Sequence, residues 1–341
     1  MTYKIGINGF GRIGRQVFKA IEEGGFSDLF ELVAINDLTA NTTSAHLLKH
    51  DSTYGAWDAD ISASADGINV NDRFIRVFEE REPANIPWGE VGVDVVVEST
   101  GRFTDGEQAK AHIEAGARKV VISAPAKNED ATIVLGVNEE TYDPAAHHII
   151  SNASCTTNCL APVAKVVLDT FGIEHGMMTT VHSYTADQVL QDGTHKDLRR
   201  ARAAAQNIVP TSTGAARALS LVIPALEGKF DGFSLRVPTP TVSIIDFVAV
   251  TQKPVTVETV NAAFMAASET DEYAGIIGFS EEDLVSSDFR HDSRSSIIDA
   301  PSTMTIGDTM VKVVSWYDNE WGYSCRVADL VALICEQGIP D

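Results

Sequence analysis

The residues Tyr3-Lys4-Ile5-Gly6-Ile7-Asn8-Gly9-Phe10-Gly11-Arg12-Ile13-Gly14 decide the fold. Alternation and β-forming residues over Tyr3–Asn8 predict a strand, and apolar residues at helical spacing over Arg12–Glu23 predict a helix that Gly24-Gly25 breaks. A second strand is predicted over 31–36, which completes one βαβ unit. Gly9, Gly11 and Gly14 allow a tight turn, close approach of the backbone to a pyrophosphate, and close packing of helix on strand. The helix start offers N–H groups to an anion, and Asp37, at the end of the second strand, is placed to take the hydroxyls of an adenosine ribose. The unit therefore predicts a dinucleotide site at Gly9, Gly11, Arg12, Ile13, Gly14 and Asp37.

Working outward, strand-like runs at 93–98 and 120–123 are closed by Ser99-Thr100-Gly101 and Ala124-Pro125. Ligands of open α/β sheets lie beyond the carboxyl ends of the strands, so Thr100, Gly101 and Ser123 join the candidate contacts. After about residue 150 the runs lengthen, at 177–184, 233–237, 242–251 and Met310–Tyr317, with helical segments between them. This predicts a second, mainly antiparallel domain. The stretch 319–337 has helical spacing and is expected to pack back on the first domain. The fold class is α/β: a Rossmann-type doubly wound parallel sheet at 1–154, joined by a carboxyl-terminal helix at 319–341, plus an α+β catalytic domain with a mainly antiparallel sheet at 155–318.

With 341 residues and 44% apolar content, the chain has enough material for two ordinary domains. No apolar stretch nears the roughly 20 residues that span a bilayer, and no charged-then-apolar leader is present, so a soluble, cytoplasmic chain is expected. The balance of 26 basic against 48 acidic residues, a formal charge of −22, argues against nucleic acid or anionic membranes as partners. Cysteines stand at 155, 159, 325 and 335 without a C-x-x-C pair or a histidine cluster at metal-ligand spacing. Neither a metal site nor a disulfide framework is expected.

Cys155 opens a helical run reaching about Phe171, where the macrodipole and the N–H groups of the first turn favour thiolate over thiol. Its neighbours Ser154, Thr156, Thr157 and Asn158 suit a solvent-reachable helix start. Cys159, Cys325 and Cys335 read as small buried residues. Pro162 falls inside the same run and is expected to kink it or end its first segment. His182 closes the β-rich run Thr179-Thr180-Val181 and is a candidate base, with eight other histidines competing. A thiol nucleophile beside a hydride-accepting cofactor suits oxidation of an aldehyde to a thioester.

Four segments, at 5–15, 151–159, 182–185 and 316–323, resemble, in sequence, order and spacing, the phosphorylating glyceraldehyde-3-phosphate dehydrogenases over essentially the whole chain. The resemblance implies that Cys155 attacks the aldehyde of D-glyceraldehyde 3-phosphate, that His182 handles the proton, and that phosphate releases 1,3-bisphosphoglycerate from the thioester. It assigns the substrate phosphate to Thr185, Asp187 and Arg236, and the attacking phosphate to Ser154, Thr213 and Gly214, with Arg236 near both. Thr156 belongs to the same anion-binding set, and Asn319 fixes the nicotinamide carboxamide. A homotetramer in glycolysis, gluconeogenesis or the Calvin cycle is implied, with NAD as cofactor. Gly193-Thr194 resembles the small-and-hydroxyl pair of photosynthetic members that accept NADP. Thr194 and Arg81 would then hold a 2′-phosphate that Asp37 repels. Two alternatives stand beside this reading: erythrose-4-phosphate dehydrogenase, which releases its acid with water, and a non-catalytic scaffold.

Overall fold

The computed structural model describes residues 2–340. The chain divides into two compact units: Met1–Ile133 with Glu140–Ala153 and Ser324–Asp341, and Val134–Glu139 with Ser154–Tyr323.

The first unit is built on a nine-stranded sheet in the order Ala131–Thr132, Ile149–Ser151, Lys119–Ile122, Val95–Glu98, Tyr3–Asn8, Phe30–Asn36, Arg73–Phe78, Gly67–Val70, Ile61–Ala63. The first seven run parallel, and the last two fold back as antiparallel strands. Strands such as Val95–Glu98 and Lys119–Ile122 are buried along their whole length, as parallel strands covered on both faces must be. Chain order reverses on either side of Tyr3–Asn8, and this switch point is where such sheets open a crevice.

The second unit carries an eight-stranded sheet in the order Val209–Ser212, Phe230–Val237, Ile173–Ser183, Ser243–Thr251, Met310–Tyr317, Ser296–Asp299, Ile277–Ser280, with Met304–Ile306 also on Met310–Tyr317. It is mainly antiparallel, but Ile173–Ser183 runs parallel to Phe230–Val237, a pairing that sets His182 opposite Arg236. The Ser243–Thr251 strand alternates strictly between buried and half-buried residues.

The Cys155–Phe171 helix does not stop at Pro162. Pro162 lacks the N–H that would reach the Asn158 carbonyl, but Leu160, Ala161, Val163, Ala164 and Val167 around it are fully buried. Packing of that apolar face outweighs one missing bond, which the residue pattern alone did not decide. The final helix is Trp321–Glu336, shorter than the expected 319–337, because Asp318 accepts from the N–H groups of Glu320 and Trp321 and caps the turn.

Candidate active site

In the first unit, a cleft of about 530 Å³ lies at the carboxyl ends of the parallel strands. Gly9, Gly11, Asp37, Arg81 and Thr100 line it, as do Asn8, Asn36, Glu80 and Ser99. Gly9 has φ +92°, and a Cβ there would sit 2.7 Å from the Thr100 nitrogen. A Cβ on Gly14 would sit 2.1 Å from the Gly9 carbonyl oxygen. The turn is thus closed by backbone-to-backbone contact that any side chain would force apart. No side chain caps the Arg12–Glu23 helix at Gly11, which leaves its first turn to an anion. Asp37 accepts from the N–H of Phe10 at 2.6 Å and of Thr39 at 2.8 Å, so its carboxylate is held at the cleft rim. These features fit a dinucleotide: an uncapped helix start for the pyrophosphate and a fixed carboxylate for the ribose.

The remaining cofactor candidates of this unit stand further back. Arg12 and Ile13 form the first helical turn, but the Arg12 guanidinium pairs with Asp51 at 2.5 Å. Ser123 donates its hydroxyl to the Glu98 carbonyl at 3.1 Å. Asn8 and Asn36 were missed as cleft residues, although each ends a parallel strand, the position that should have singled them out.

In the second unit, Ser154 caps the helix that Cys155 opens, accepting from the Thr157 N–H at 3.0 Å. Cys155 Sγ lies 3.5 Å from His182 Nε2. His182 Nδ1 is 2.7 Å from the Ser183 carbonyl, which places the ring proton on Nδ1 and leaves Nε2 bare toward the thiol. Arg236 Nη1 donates to the same carbonyl at 3.1 Å and to Thr185 Oγ1 at 3.3 Å. Its 3.1 Å approach to Nδ1 is then a contact between two N–H groups. Burial, with the Arg236 charge next in weight, drives His182 down to about 3. Burial also pushes the Cys155 thiol up, and Arg236 and the hydrogen bonds to Thr156 pull it back only in part. Burial thus works against the thiolate that the helix start and Arg236 favour, and the shifts of both groups favour the uncharged forms of the pair.

The Arg236 Nε is buried without a hydrogen-bond partner, a costly state for a cationic donor unless an anion completes it. Thr185 is in direct contact with Arg236, while Asp187 is engaged elsewhere, by Arg200 at 2.5 Å and His195 at 3.5 Å. Burial is the largest single influence and raises the Asp187 carboxyl, but the hydrogen bonds and charges of Arg200 and His195 together outweigh it and hold the group below its ordinary value. Arg200 also reaches Thr211 Oγ1 at 2.9 Å, and is a cation the sequence reading left to structure. Thr213 Oγ1 accepts from the Ala215 N–H at 3.2 Å, and Gly214 begins the Ala215–Val222 helix without a side-chain cap. Thr156 turns its hydroxyl to Tyr317 at 2.9 Å, and Tyr317 bonds Thr180 at 2.8 Å and sets its ring edge-to-face with His182. Tyr317 is a support that no spacing pattern announced. Asn319 Oδ1 accepts from Ser183 Oγ at 2.8 Å and Ser243 Oγ at 2.9 Å, which directs its NH₂ the other way. Thr194 is exposed in the loop before His195.

Among the described residues, no group of three or more His, Cys, Asp or Glu is placed to hold a metal ion, and no helix is long and apolar enough to cross a membrane.

Two family models match this chain. Residues 3–106 match the family model of the glyceraldehyde 3-phosphate dehydrogenase NAD binding domain, and residues 154–319 that of the C-terminal domain. The chain is 61% identical over 339 residues to the glyceraldehyde-3-phosphate dehydrogenase of Geobacillus stearothermophilus, and 58% identical over 339 residues to glyceraldehyde-3-phosphate dehydrogenase 1 of Bacillus subtilis (strain 168). Each alignment covers 99% of this chain and 100% of the relative. The Streptomyces coelicolor enzyme of the same name is 55% identical over 337 residues, again with 99% and 100% covered. With both halves matched and identity this high from end to end, the chain belongs to the glyceraldehyde-3-phosphate dehydrogenase family.

Proposed function

We propose that the chain oxidises D-glyceraldehyde 3-phosphate and phosphorylates the product to 1,3-bisphosphoglycerate, with NAD as cofactor. The observation that carries this is the Cys155 thiol 3.5 Å from the bare Nε2 of His182, beside an arginine whose buried Nε lacks a partner. In this reading Arg236 and Thr185 bind the substrate phosphate and hold the aldehyde carbon over Cys155. The sulfur attacks that carbon as the S–H proton passes to His182 Nε2, giving the oxyanion of a thiohemiacetal on Cys155, with His182 protonated. The cofactor, when bound, accepts the hydride that turns this adduct into a thioester. Phosphate, held by Ser154, Thr213 and Gly214, then attacks the thioester carbon. The C–S bond breaks, and the sulfur takes its proton back from His182. The NH₂ of Asn319, set by Ser183 and Ser243, is read as the holder of the nicotinamide carboxamide.

Gly9, Gly11, Asp37 and Thr100 are read as the cofactor cradle, with Arg12, Ile13 and Gly14 shaping the helix start and Ser123 supporting from the neighbouring strand. Arg81 lines the cleft that Asp37 rims, and Thr194 supplies a hydroxyl in a loop. We read this as NAD preference with NADP as a weaker second acceptor, since Asp37 repels a 2′-phosphate. Four free cysteines suit a reducing cytoplasm. Self-association, as the homotetramer the resemblance implied, is supported by exposed apolar side chains of the second unit, among them Leu190, Leu198, Ile208 and Met177.

The test is reduction of NAD and of NADP, in parallel, with glyceraldehyde 3-phosphate, each with and without inorganic phosphate. Phosphate-dependent turnover that favours NAD is expected. Turnover indifferent to phosphate would move the assignment to a hydrolytic relative acting on erythrose 4-phosphate, and no turnover with either cofactor would leave a scaffold role.

A further inference from the structure

Beneath the cofactor cleft lies a buried polar network in which every fixed hydrogen-bond direction ends on one carboxylate. Register brings Asn36, Asn8 and Glu98 into a row across three adjacent parallel strands, at their carboxyl ends. All three are buried, as are Trp88 and His112. The row is closed at both sides by groups whose polarity cannot change. On one side, the backbone of Glu80 donates to Asn36 Oδ1 at 2.8 Å and accepts from Asn36 Nδ2 at 2.9 Å, which fixes the orientation of that amide. Asn36 Nδ2 also donates to Asn8 Oδ1 at 2.8 Å, so Asn8 presents its NH₂ to Glu98, at 2.5 Å from Oε2. On the other side, the Trp88 indole can only donate, and it does so to His112 Nδ1 at 3.0 Å. The ring proton must then sit on Nε2, which lies 3.0 Å from the same Oε2. The other oxygen, Oε1, accepts from the Thr100 N–H at 2.8 Å and from the Thr100 hydroxyl. Donors thus converge on Glu98 from three directions, and no Lys or Arg among the described residues pairs with it.

Only an acceptor at both oxygens satisfies this arrangement. A side-chain amide in place of the carboxylate would turn its NH₂ either into the Thr100 N–H or into Asn8 Nδ2, and neither partner can reverse. The three groups that Glu98 holds directly or through one bond, Thr100, Asn8 and Asn36, all line the cleft, and the Gly9 N–H bonds the Asn36 carbonyl at 2.8 Å. We infer that Glu98 is a positioning residue for the cofactor: as an acceptor-only anchor it fixes the Thr100 turn and the Asn8–Gly9 corner in the shape that the dinucleotide meets. This rests on the reading of that cleft as the NAD site.

The experiment is titration of NAD into the folded protein by calorimetry, beginning with the unsubstituted chain. Absence of binding there would overturn the cofactor reading itself. Given binding, Glu98→Gln is expected to raise the Kd for NAD about tenfold, with kcat at saturating NAD within about twofold of the parent. Asn8→Asp alone, which sets two carboxylates against each other, is expected to weaken binding as well. The double variant Asn8→Asp/Glu98→Gln moves the acceptor from one strand to its neighbour. The carboxylate on the Tyr3–Asn8 strand then takes the NH₂ of the amide that replaces Glu98. It also takes the His112 Nε2–H, which already lies 3.5 Å from the Asn8 side chain, while the oxygen of the replacing amide takes the Thr100 N–H. The Kd of the double variant is expected to return to within about threefold of the parent. Alkylation of Cys155 by iodoacetamide without NAD is expected to be the same in all of these. Val96→Ala, in the apolar core of the same strand, is the stability control and is expected to lower Tm while leaving Kd unchanged. A Kd for Glu98→Gln equal to the parent's would overturn the inference. So would a double variant as weak as the singles, or a Val96→Ala that weakens NAD in step with its loss of Tm. Should Glu98→Gln fail to fold, the double variant against Asn8→Asp makes the same comparison.

Discussion

At the residue scale, Cys155 and His182 face each other at 3.5 Å, each shifted away from its charged form. In the proposed route, replacing Cys155 by Ala removes the nucleophile at the first position of a helix, where alanine is well tolerated. Turnover is expected to fall at least about a thousandfold, with NAD binding and Tm near those of the parent. Comparable NADH production by the variant would sink the covalent route. The shift of His182 also has a thermodynamic consequence. An unfolded chain protonates this histidine below about 6.5, whereas the folded chain resists until about 3. The unfolded state therefore holds more protons across that interval, and stability falls as pH drops from about 6.5 to about 3, by an amount of the order of a few kcal/mol. Urea midpoints measured across this window in the parent and in His182→Gln check it: the variant should lack that part of the slope. In the apo protein the raised thiol predicts iodoacetamide alkylation of Cys155 that climbs with pH beyond the ordinary thiol range, and a plateau near neutrality would contradict it. The chain itself revealed the thiol and the imidazole, through the helix-start flanks of Cys155 and the family's motif order. It did not reveal their protonation, because burial is a property of strands and helices that meet only after folding.

At the scale of elements, the turn between the Tyr3–Asn8 strand and the Arg12–Glu23 helix is the one place where a single methyl group has nowhere to go. Gly14→Ala would drive its Cβ to 2.1 Å from the Gly9 carbonyl, so the turn must open and the helix start must leave the cleft. The expected result is a rise in the Kd for NAD of tenfold or more, about 1.4 kcal/mol or above, with Cys155 alkylation in the apo protein unaltered. An unchanged Kd would show that the helix start does not bind the pyrophosphate. This element was legible because strand period, glycine spacing and helical period all point the same way. The Cys155–Phe171 helix was legible only in part, since local propensity at Pro162 opposed a buried apolar face and the face prevailed. Val242 shows another limit: a β-branched residue sits at φ +66°, buried, just before Ser243, whose hydroxyl donates to Asn319. No propensity scale places valine there, since a β-branched side chain is disfavoured at positive φ. The Glu98 network escaped notice for a similar reason, since its members are scattered from residue 8 to residue 112 and meet only through sheet register.

At the scale of the whole molecule, a formal charge of −22 on 341 residues must be carried by a fold whose chemistry concerns anions. Locally the two requirements are reconciled by placement: Arg236 is half-buried, with His182, the Ser183 carbonyl and Thr185 as its direct contacts, while the acidic excess lies in stretches such as Glu79-Glu80-Arg81-Glu82 and Glu281-Glu282-Asp283 that are largely exposed. Globally, like charges spread over one surface repel one another, and unfolding separates them, so self-repulsion subtracts from stability. Screening should restore it. The Debye length shrinks from about 30 Å at 0.01 M salt to about 10 Å at 0.1 M and about 3 Å at 1 M, so most of the gain should arrive below about 0.2 M. Tm is accordingly expected to rise by several degrees between about 0.01 and 0.2 M NaCl and to level off beyond, equally for KCl. A rise that continued linearly to molar salt would indicate ion exclusion from apolar surface instead of screening, since that effect grows with concentration and is stronger for sulfate. A Tm that fell with added salt would mean that attractive ion pairs, such as Arg12–Asp51 and Arg200–Asp187, outweigh the repulsion of the excess carboxylates.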